Sequence, residues 1–300
     1  MAKLFECALN FSEGRRPEAI DAIVAAARGV GVRVLDVAAN ADHNRTVLSF
    51  VGPADAVDEA VGAVTGEALR LIDMNRHQGA HPRMGAVDVV PLVPLGEATM
   101  DDAVALARRI GARLAGEFAL PIFLYEAAAT RPERRNLADV RRGEFEGLAA
   151  RLATEEWRPD CGPVRPHPTG GATAVGARRF LVAYNVNLGT DDLEVAKRIA
   201  HAVRARDGGL AAVKALGVAL SERRQVQVSM NVVDPFATPL YRAFELVRLE
   251  AQRYGVPVVG SEIVGLVPLA VLAEVARYYL RLEGFADGQV LESRLWGPEP

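Results

Sequence analysis

The sequence has few cysteines and few aromatic residues, and it shows no excess of one charge. Only two of its 300 residues are cysteines, Cys7 and Cys161, so a disulfide framework is excluded and a reducing compartment is the simpler setting. The net charge is −3 and no long basic run occurs, which argues against nucleic-acid binding through phosphates. The chain also lacks the basic stripe and strand aromatics that nucleic-acid-binding modules use.

The sequence likewise lacks a long apolar run and a secretion signal. Its longest nearly apolar stretch, residues 256–273, contains Glu262, Pro257 and Pro268, and it fits a strand, a loop and the start of a helix better than a membrane span. Glu6 stands where a signal peptide would have its apolar segment. We therefore expect a cytoplasmic protein without a membrane partner.

The composition is that of a globular chain, with 50% apolar and 24% charged residues. Its length allows one large domain or two smaller ones of about 100–200 residues each. From residue 4 the pattern begins strand, helix, strand, strand, helix, strand, and from residue 180 this order returns. The repeat predicts an α+β fold of two ferredoxin-like subdomains, residues 1–178 and 179–300, with mostly antiparallel sheets, helices on the outer faces and a ligand cleft between them.

Three stretches give more detailed expectations. The strand over residues 88–95 contains Pro91 and Pro94, which predicts an edge position or interrupted pairing. Residues 137–152 are predicted to form one helix. Residues 155–173 contain four prolines and show no periodicity, so they are interpreted both as the boundary between the two halves and as part of a ligand site.

Residues 76–88 concentrate titratable and turn-forming side chains before an apolar strand. Pro82 disfavours helical geometry at His81 and stiffens the loop. Gly79 and Gly85 allow the backbone to approach a ligand closely. The stretch therefore predicts a functional loop at a sheet edge, with His81 either catalytic or simply satisfied by a nearby carbonyl group.

A second histidine, His77, lies four residues before His81 and raises the question of a metal site. Two histidines at this spacing face the same side only on a helix, and Gly79 and Pro82 argue against a helix here. We expect no metal. His43, in a turn of its own, is a candidate to line the site.

Short motifs are spread over most of the chain. The central one is His81-Pro82-Arg83-Met84-Gly85-Ala86, followed by Asp88-Val89. The others are Glu6-Cys7 with Asn10-Phe11-Ser12-Glu13-Gly14, Leu35-Asp36-Val37, Asn44-Arg45-Thr46-Val47, Leu71-Ile72-Asp73-Met74, Gly171-Ala172-Thr173, Gly176-Ala177-Arg178, Asn185-Val186-Asn187-Leu188, Val258-Val259-Gly260-Ser261 and Val264-Gly265-Leu266-Val267-Pro268-Leu269. In this order, from about residue 4 to residue 292, they resemble the glutamate formimidoyltransferase (formiminotransferase) family.

The resemblance implies an enzyme that transfers the formimidoyl group of N-formimidoyl-L-glutamate to N5 of tetrahydrofolate, a late step of histidine degradation. Tetrahydrofolate would be a co-substrate, bound between two α/β subdomains. In animals the transferase is fused to a cyclodeaminase domain, and because this chain ends at Pro300 that second activity is expected to be absent. The resemblance also favours a homodimer, with small-molecule substrates and no nucleic acid as partners.

The family's catalytic histidine falls on His81, which implies a general acid and base. Its folate contact falls on a loop that is expected to orient backbone N–H groups around the pterin or its tail and to meet the His81 loop: Gly162, Pro163, Val164, Arg165, Pro166, His167, Pro168, Thr169, Gly170 and Gly171. Carboxylates favour arginine, and three arginines stand in matched motifs: Arg45, Arg83 and Arg178. Asp36 and Asp88 are candidates to orient His81 or to bind the amidinium.

Alternatives stay open for the function and for individual residues. The donor could carry a formyl group, because oxygen and NH differ by one atom and no residue decides between them. A folate-binding protein without turnover would have no need of a titratable group at His81. Each arginine could also be a surface charge or an ion-pair partner, and the Gly162–Gly171 loop a plain linker.

Overall fold

The computed structural model describes residues 2–220 and 223–296. This part of the chain forms two units, divided after Arg178. The assignment of residues 1–178 and 179–300 as subdomains of one enzyme stays a prediction, as does the ligand cleft between them.

The first unit is built on a six-stranded sheet with the strand order β2-β3-β1-β4-β6-β5. The first four strands of this order pair antiparallel, in the ferredoxin-like arrangement that the sequence predicts, and β6 and β5 extend the sheet in parallel. The elements are β1 (Lys3–Phe11), α1 (Pro17–Arg28), β2 (Arg33–Asn40), β3 (Arg45–Gly52), α2 (Ala54–Leu71), β4 (Val87–Gly96), α3 (Met100–Phe118), β5 (Ile122–Glu126), α4 (Leu137–Val140), α5 (Glu144–Leu152) and β6 (Thr173–Ala177).

Two apolar cores cover the two faces of this sheet unequally. On one face α1, α2 and α3 pack against side chains that alternate along the strands, such as Leu9 and Leu48, which are fully buried. On the other face a smaller core forms over β4, β6 and β5, where Val89 and Phe123 pack with Leu148 of α5. Among the described residues of the first unit, no apolar core covers the second face over β1, β3 and β2.

Polar side chains stand among Ala8, Val47 and Val51 on this remaining part of the second face. The strand register places Asn10 of β1 opposite Val89, and Glu6 lies on the same face four residues earlier. Ser49 of β3 lies on it as well, because it pairs with Ala8, which stands between Glu6 and Asn10 on β1, and Asp36 of β2 pairs with Ser49. We call these four residues the polar face, and the candidate site described below lies beside it.

The proline-containing strand β4 is not at the edge of the sheet, so that part of the prediction is wrong. It lies between β1 and β6, with Pro91 opposite Gly176 and Pro94 opposite Phe5. The pairing with β1 passes over Val90 and Pro91, because a proline has no N–H to donate to a neighbouring strand. The other expectation for this strand, interrupted pairing, is confirmed.

Two further expectations need correction. Residues 155–173 do not separate the halves, because they lead into β6, a strand that the sequence analysis missed and that pairs with β4 and β5 inside the first unit. The predicted helix over residues 137–152 is two helices. Gly143, with a φ of +84°, interrupts it between α4 and α5. A left-handed residue cannot continue a right-handed helix.

The second unit has a four-stranded antiparallel sheet with the strand order β10-β7-β9-β8, again the ferredoxin-like order. Its elements are β7 (Val182–Leu188), α6 (Leu193–Val203), β8 (Val213–Leu220), β9 (Gln225–Val232), α7 (Leu240–Arg253), β10 (Val258–Val264), α8 (Leu269–Leu280) and α9 (Leu291–Trp296). Val186, Val228, Ile199 and Val247 are fully buried in its core. The α+β class with mostly antiparallel sheets is confirmed. None of the helices described has the length and apolar character needed to span a membrane.

Candidate active site

The segment that leads to His81 lies against the turn between β2 and β3. The backbone N–H of Ala80 donates to the carbonyl oxygen of Asp42 at 3.1 Å. Gly79 packs so closely that an added Cβ atom would lie 2.2 Å from the carbonyl oxygen of His43. A glycine is therefore required at this position, and the segment before His81 is fixed in place.

The segment that follows His81 is joined directly to the end of the Gly162–Gly171 loop. Ala86 N–H donates to Gly170 O at 2.9 Å, and Ala172 N–H donates to Met84 O at 3.0 Å. Between these bonds, a Cβ atom on Gly85 would lie 2.0 Å from the carbonyl oxygen of Ala172. The two loops that the sequence singled out are thus in contact within the first unit.

His81 has one ring nitrogen engaged and the other available. Its Nδ1 lies 2.7 Å from the carbonyl oxygen of Pro82, and because a carbonyl only accepts, Nδ1 is the protonated nitrogen. Nε2 then has a free lone pair. Burial, together with the smaller effects of the Arg45 and Arg141 charges, lowers the pKa of His81 to about 3. His81 is therefore a neutral imidazole with an unprotonated Nε2 at physiological pH.

Two arginines lie close enough to His81 to affect its pKa, and an aspartate bonds one of them. Arg45 donates to Asn10 of the polar face through Nη2. Arg141, just after α4, donates from Nη2 to Asp88 at 2.5 Å. The other oxygen of Asp88 accepts from the backbone N–H of Met84 at 2.9 Å, so this carboxylate ties Arg141 to the His81 loop. Burial lowers the pKa of Arg45 to about 10, and the neighbouring Arg141 charge acts in the same direction.

Arg83 has all five of its N–H donors occupied. It donates to His77 Nδ1 at 3.2 Å and to the His77 carbonyl oxygen at 3.3 Å. Its other three bonds, of 2.6–2.9 Å, go to Glu144 and Glu146. His77 in turn donates from Nε2 to Asn44 O at 2.8 Å, and its burial lowers its pKa. These contacts brace the loop that presents His81, and they leave Arg83 no unoccupied donor for a ligand.

The end of the Gly162–Gly171 loop is closed by its own hydrogen bonds. His167 Nδ1 accepts from the backbone N–H groups of Gly170 at 2.8 Å and Thr169 at 3.3 Å. The backbones of His167 and Gly171 bond each other in both directions. The expectation that these N–H groups face a ligand is wrong for residues 167–171, because they are used within the loop. Residues 162–166 include the exposed Val164 and Arg165.

The remaining predicted residues lie elsewhere on the same sheet. Asp36 is on the edge strand β2, opposite Ser49 and within the polar face. Arg178 follows β6, where its backbone N–H donates to Leu92 O at 2.9 Å. Its charge acts on the buried Glu6, whose pKa is raised by burial despite the opposing effect of Arg178. Glu6 and Asn10 are four residues apart on β1, about 13 Å, so Arg178 and Arg45 lie towards different ends of the polar face.

Arg141 is the site residue that the sequence analysis missed. Arg141 stands next to Arg142 in a stretch with helical spacing. Nothing in the local sequence shows which of these two arginines contacts the site. Gly143, which ends the first short helix, was the available clue that Arg141 stands at a helix terminus. Its partner Asp88 is 53 residues earlier in the chain, and such a pairing is not visible in local sequence.

Three buried or partly buried histidines predict that the protein loses stability in mild acid. Burial lowers the pKa values of His77, His81 and His167, whereas each is near 6.5 in an unfolded chain. Below pH 6.5 the unfolded chain therefore binds more protons, and the free energy of unfolding falls as the pH falls from 7.5 to 5.5. Urea unfolding at both pH values measures this fall. His167→Asn should make it smaller, and an unchanged fall would contradict the assignment.

The described fold and site together define a class of protein. It is an α+β protein with two ferredoxin-like units, and the first unit holds a neutral histidine beside two partly buried arginines. This arrangement suits proton transfer on an anionic substrate. Within residues 2–220 and 223–296, no group of three or more histidine, cysteine, aspartate or glutamate side chains could hold a metal ion. The expectation of a metal-free protein stays a prediction.

Comparison with known families identifies this class. The model of the N-terminal subdomain of the formiminotransferase domain matches residues 4–178, and the model of the formiminotransferase domain matches residues 183–292. The chain belongs to the formiminotransferase family, and it is an enzyme of the transferase class.

Curated relatives from three groups of organisms are similar along nearly the whole chain. A glutamate formimidoyltransferase of Streptococcus pyogenes serotype M1 is 48% identical over 299 residues, which cover 99% of this chain and 100% of the relative. A glutamate formimidoyltransferase of Thermoplasma acidophilum is 48% identical over 295 residues, 97% of each chain. The formimidoyltransferase-cyclodeaminase of Sus scrofa is 45% identical over 291 residues, 94% of this chain and 53% of that longer protein.

Proposed function

We propose that this enzyme transfers the formimidoyl group from N-formimidoyl-L-glutamate to N5 of tetrahydrofolate. The products are 5-formimidoyltetrahydrofolate and L-glutamate, and the step belongs to histidine degradation. The observation that supports this most directly is His81, whose Nδ1–H is held by Pro82 O and whose Nε2 is left as a base beside two arginines. The names of the relatives support the choice of donor.

The chemistry requires one proton to leave the acceptor and one to reach the leaving group. N5 of tetrahydrofolate attacks the amidine carbon, forming a C–N5 bond and a tetrahedral centre bearing three nitrogens. His81 Nε2 takes the proton from N5. It then gives that proton to the glutamate nitrogen, the C–N bond to glutamate breaks, and glutamate leaves as the amine. General acid–base catalysis of this kind contributes about 10²–10⁴-fold to a rate.

The surrounding residues divide into those that hold the loop and those that face the substrates. We propose that Arg83 holds the loop, because Glu144, Glu146 and His77 occupy all its donors. Arg45 is assigned to a donor carboxylate, since it lies close enough to affect the pKa of His81. Arg178 lies towards the other end of the polar face, and we assign it to a substrate carboxylate other than the one that Arg45 binds.

The folate is assigned to the Gly162–Gly171 loop and to the polar face next to it, including Asp36. The end of the loop is joined to the His81 segment by the bonds of Gly170 and Ala172, which supports a folate site next to the base. The exposed side chains of Val164 and Arg165 offer an apolar contact and a positive charge for the folate. A homodimer and a cytoplasmic location stay predictions.

The donor is tested by comparing two substrates that differ by one atom. The purified protein, mixed with tetrahydrofolate, should release L-glutamate from N-formimidoyl-L-glutamate at least about 100-fold faster than from N-formyl-L-glutamate, because a protonated amidine is more electrophilic than a neutral amide. Glutamate release is measured as initial rate at saturating folate, with a reaction lacking folate as the control. Equal rates would favour the formyl donor, and folate binding without glutamate release would favour a binding protein.

A further inference from the structure

The two arginines beside His81 leave a positive charge without a partner. Within the described residues, the Nε atoms of Arg45 and Arg141 are both buried and both lack a hydrogen-bond partner. Asp88 is the carboxylate that bonds Arg141, and its second oxygen is used by the backbone of Met84. Arg45 bonds only the neutral amide of Asn10 among the contacts that the structure gives it. Two guanidinium groups therefore share one aspartate.

Such an arrangement is costly unless an anion completes it. Guanidinium groups removed from water need both opposite charge and hydrogen-bond acceptors, and like charges close together disfavour each other. The charged or titratable groups that act on His81 are Arg45, Arg141 and His43, which are cationic or neutral. The negative charge that acts on both arginines is that of Asp88, whose side chain is 2% exposed and already bonded. A carboxylate from a ligand would balance the second guanidinium.

We propose that Arg141 and Arg45 together bind the α-carboxylate of the donor, so that Arg141 is a second substrate-binding residue; this rests on the proposed function. The α-carboxylate is attached to the same carbon as the nitrogen that leaves, whereas the γ-carboxylate is three carbons away from that nitrogen. Since the two arginines lie beside the base that must protonate this nitrogen, the α-carboxylate is the group that reaches them. Asp88 positions Arg141 for this contact.

The binding of a carboxylate by Arg45 and Arg141 would also connect substrate binding to proton transfer. The charges of Arg45 and Arg141 lower the pKa of His81 in the free protein. A carboxylate placed between the arginines offsets those charges and raises the pKa of His81, so that the imidazole can hold the proton taken from N5. Binding of the correct donor thus prepares the histidine for both halves of the transfer.

The test uses unreactive analogues, so it does not depend on turnover. N-Acetyl-L-glutamate has both carboxylates, 4-acetamidobutanoate lacks the α-carboxylate, and N-acetyl-L-2-aminobutyrate lacks the γ-carboxylate. Their affinities are measured by calorimetry on the wild-type protein and on Arg141→Gln and Arg141→Lys. The lysine variant keeps a charge for Asp88, so a folded protein remains for study if the glutamine variant is unstable. Arg142→Gln, an adjacent arginine whose side chain is 74% exposed, is the matched control.

The proposal predicts that the wild-type protein prefers N-acetyl-L-glutamate over 4-acetamidobutanoate by about 10–100-fold, and that this preference falls to within about threefold in Arg141→Gln. The preference over N-acetyl-L-2-aminobutyrate should stay unchanged, as should all affinities in Arg142→Gln. An unchanged α-carboxylate preference in both Arg141 variants overturns the proposal, and so does a loss confined to the γ-carboxylate. Failure of the proposed function would instead show as absent glutamate release by the wild-type protein.

Discussion

Replacing His81 with alanine is expected to lower the rate of glutamate release by about 10²–10⁴-fold, the usual contribution of a general acid–base group. The reason is that Nε2 is the nitrogen of His81 that is left to exchange a proton, because Nδ1 is held by Pro82 O at 2.7 Å. The loop itself is held by other residues, so the fold and the affinity for tetrahydrofolate should change little. Initial rates at saturating substrates, thermal unfolding and folate binding measure these three quantities.

His201→Ala is a suitable control for the loss of an imidazole. Its side chain is 64% exposed on α6 of the second unit, where it lies 3.7 Å from Asp207. This variant should keep full activity. A His81→Ala protein that is folded and retains more than a tenth of the wild-type rate would remove His81 from the mechanism.

Replacing Gly85 with alanine is expected to damage both stability and activity. The added Cβ atom would lie 2.0 Å from Ala172 O and 2.8 Å from Gly170 O, and backbone atoms cannot rotate away as a flexible side chain can. We expect the free energy of unfolding to fall by about 3 kcal/mol from crowding and lost hydrogen bonds. Displacement of the two loops by about 1 Å should lower the rate by about 10²-fold.

Gly116→Ala provides the matched control for this substitution. Gly116 lies in α3, and apart from its chain neighbours and the adjacent backbone of its own helix no atom is within 4 Å of an added Cβ. An alanine there should raise helix stability by up to about 1 kcal/mol without changing the rate. Chemical unfolding and initial rates compare the two variants. If Gly85→Ala matched Gly116→Ala in both measurements, the close joining of the two loops would be refuted.

The parts of the fold that depend on neighbouring residues in the sequence could be predicted. Alternating apolar residues and turn signals gave the strand and helix order of both ferredoxin-like arrangements. Strand β6 was missed because its five residues, Thr173–Ala177, are mostly small and follow a loop rich in proline. Its place in the sheet depends on pairing with β4 and β5, which are distant in sequence. The central position of β4 was missed for the same reason.

The sequence indicates the candidate base His81, whose role stays a prediction, but it does not indicate the residues that His81 and its loop contact. His81 stands in a motif with Pro82, Gly79 and Gly85, and each of these has a local effect on the backbone that sequence alone indicates. The partners depend on long-range contacts. Arg83 is occupied by Glu144 and Glu146, which are 61 and 63 residues away, and Arg141 is positioned by an aspartate 53 residues away. A motif match identifies the residue at a position, but it does not show which other side chains that residue already contacts.

The central claim is that His81 transfers protons while a formimidoyl group moves to folate. The most direct measurement uses N-formimidoyl-L-glutamate with ¹⁵N in the imino nitrogen and ¹³C in the transferred carbon. After reaction with tetrahydrofolate, mass spectrometry of the folate should show both labels together with the wild-type protein and almost none in the same time with His81→Ala. Equal labelling by the two proteins, or folate that gains ¹³C without ¹⁵N under conditions where the product is stable, would contradict the account.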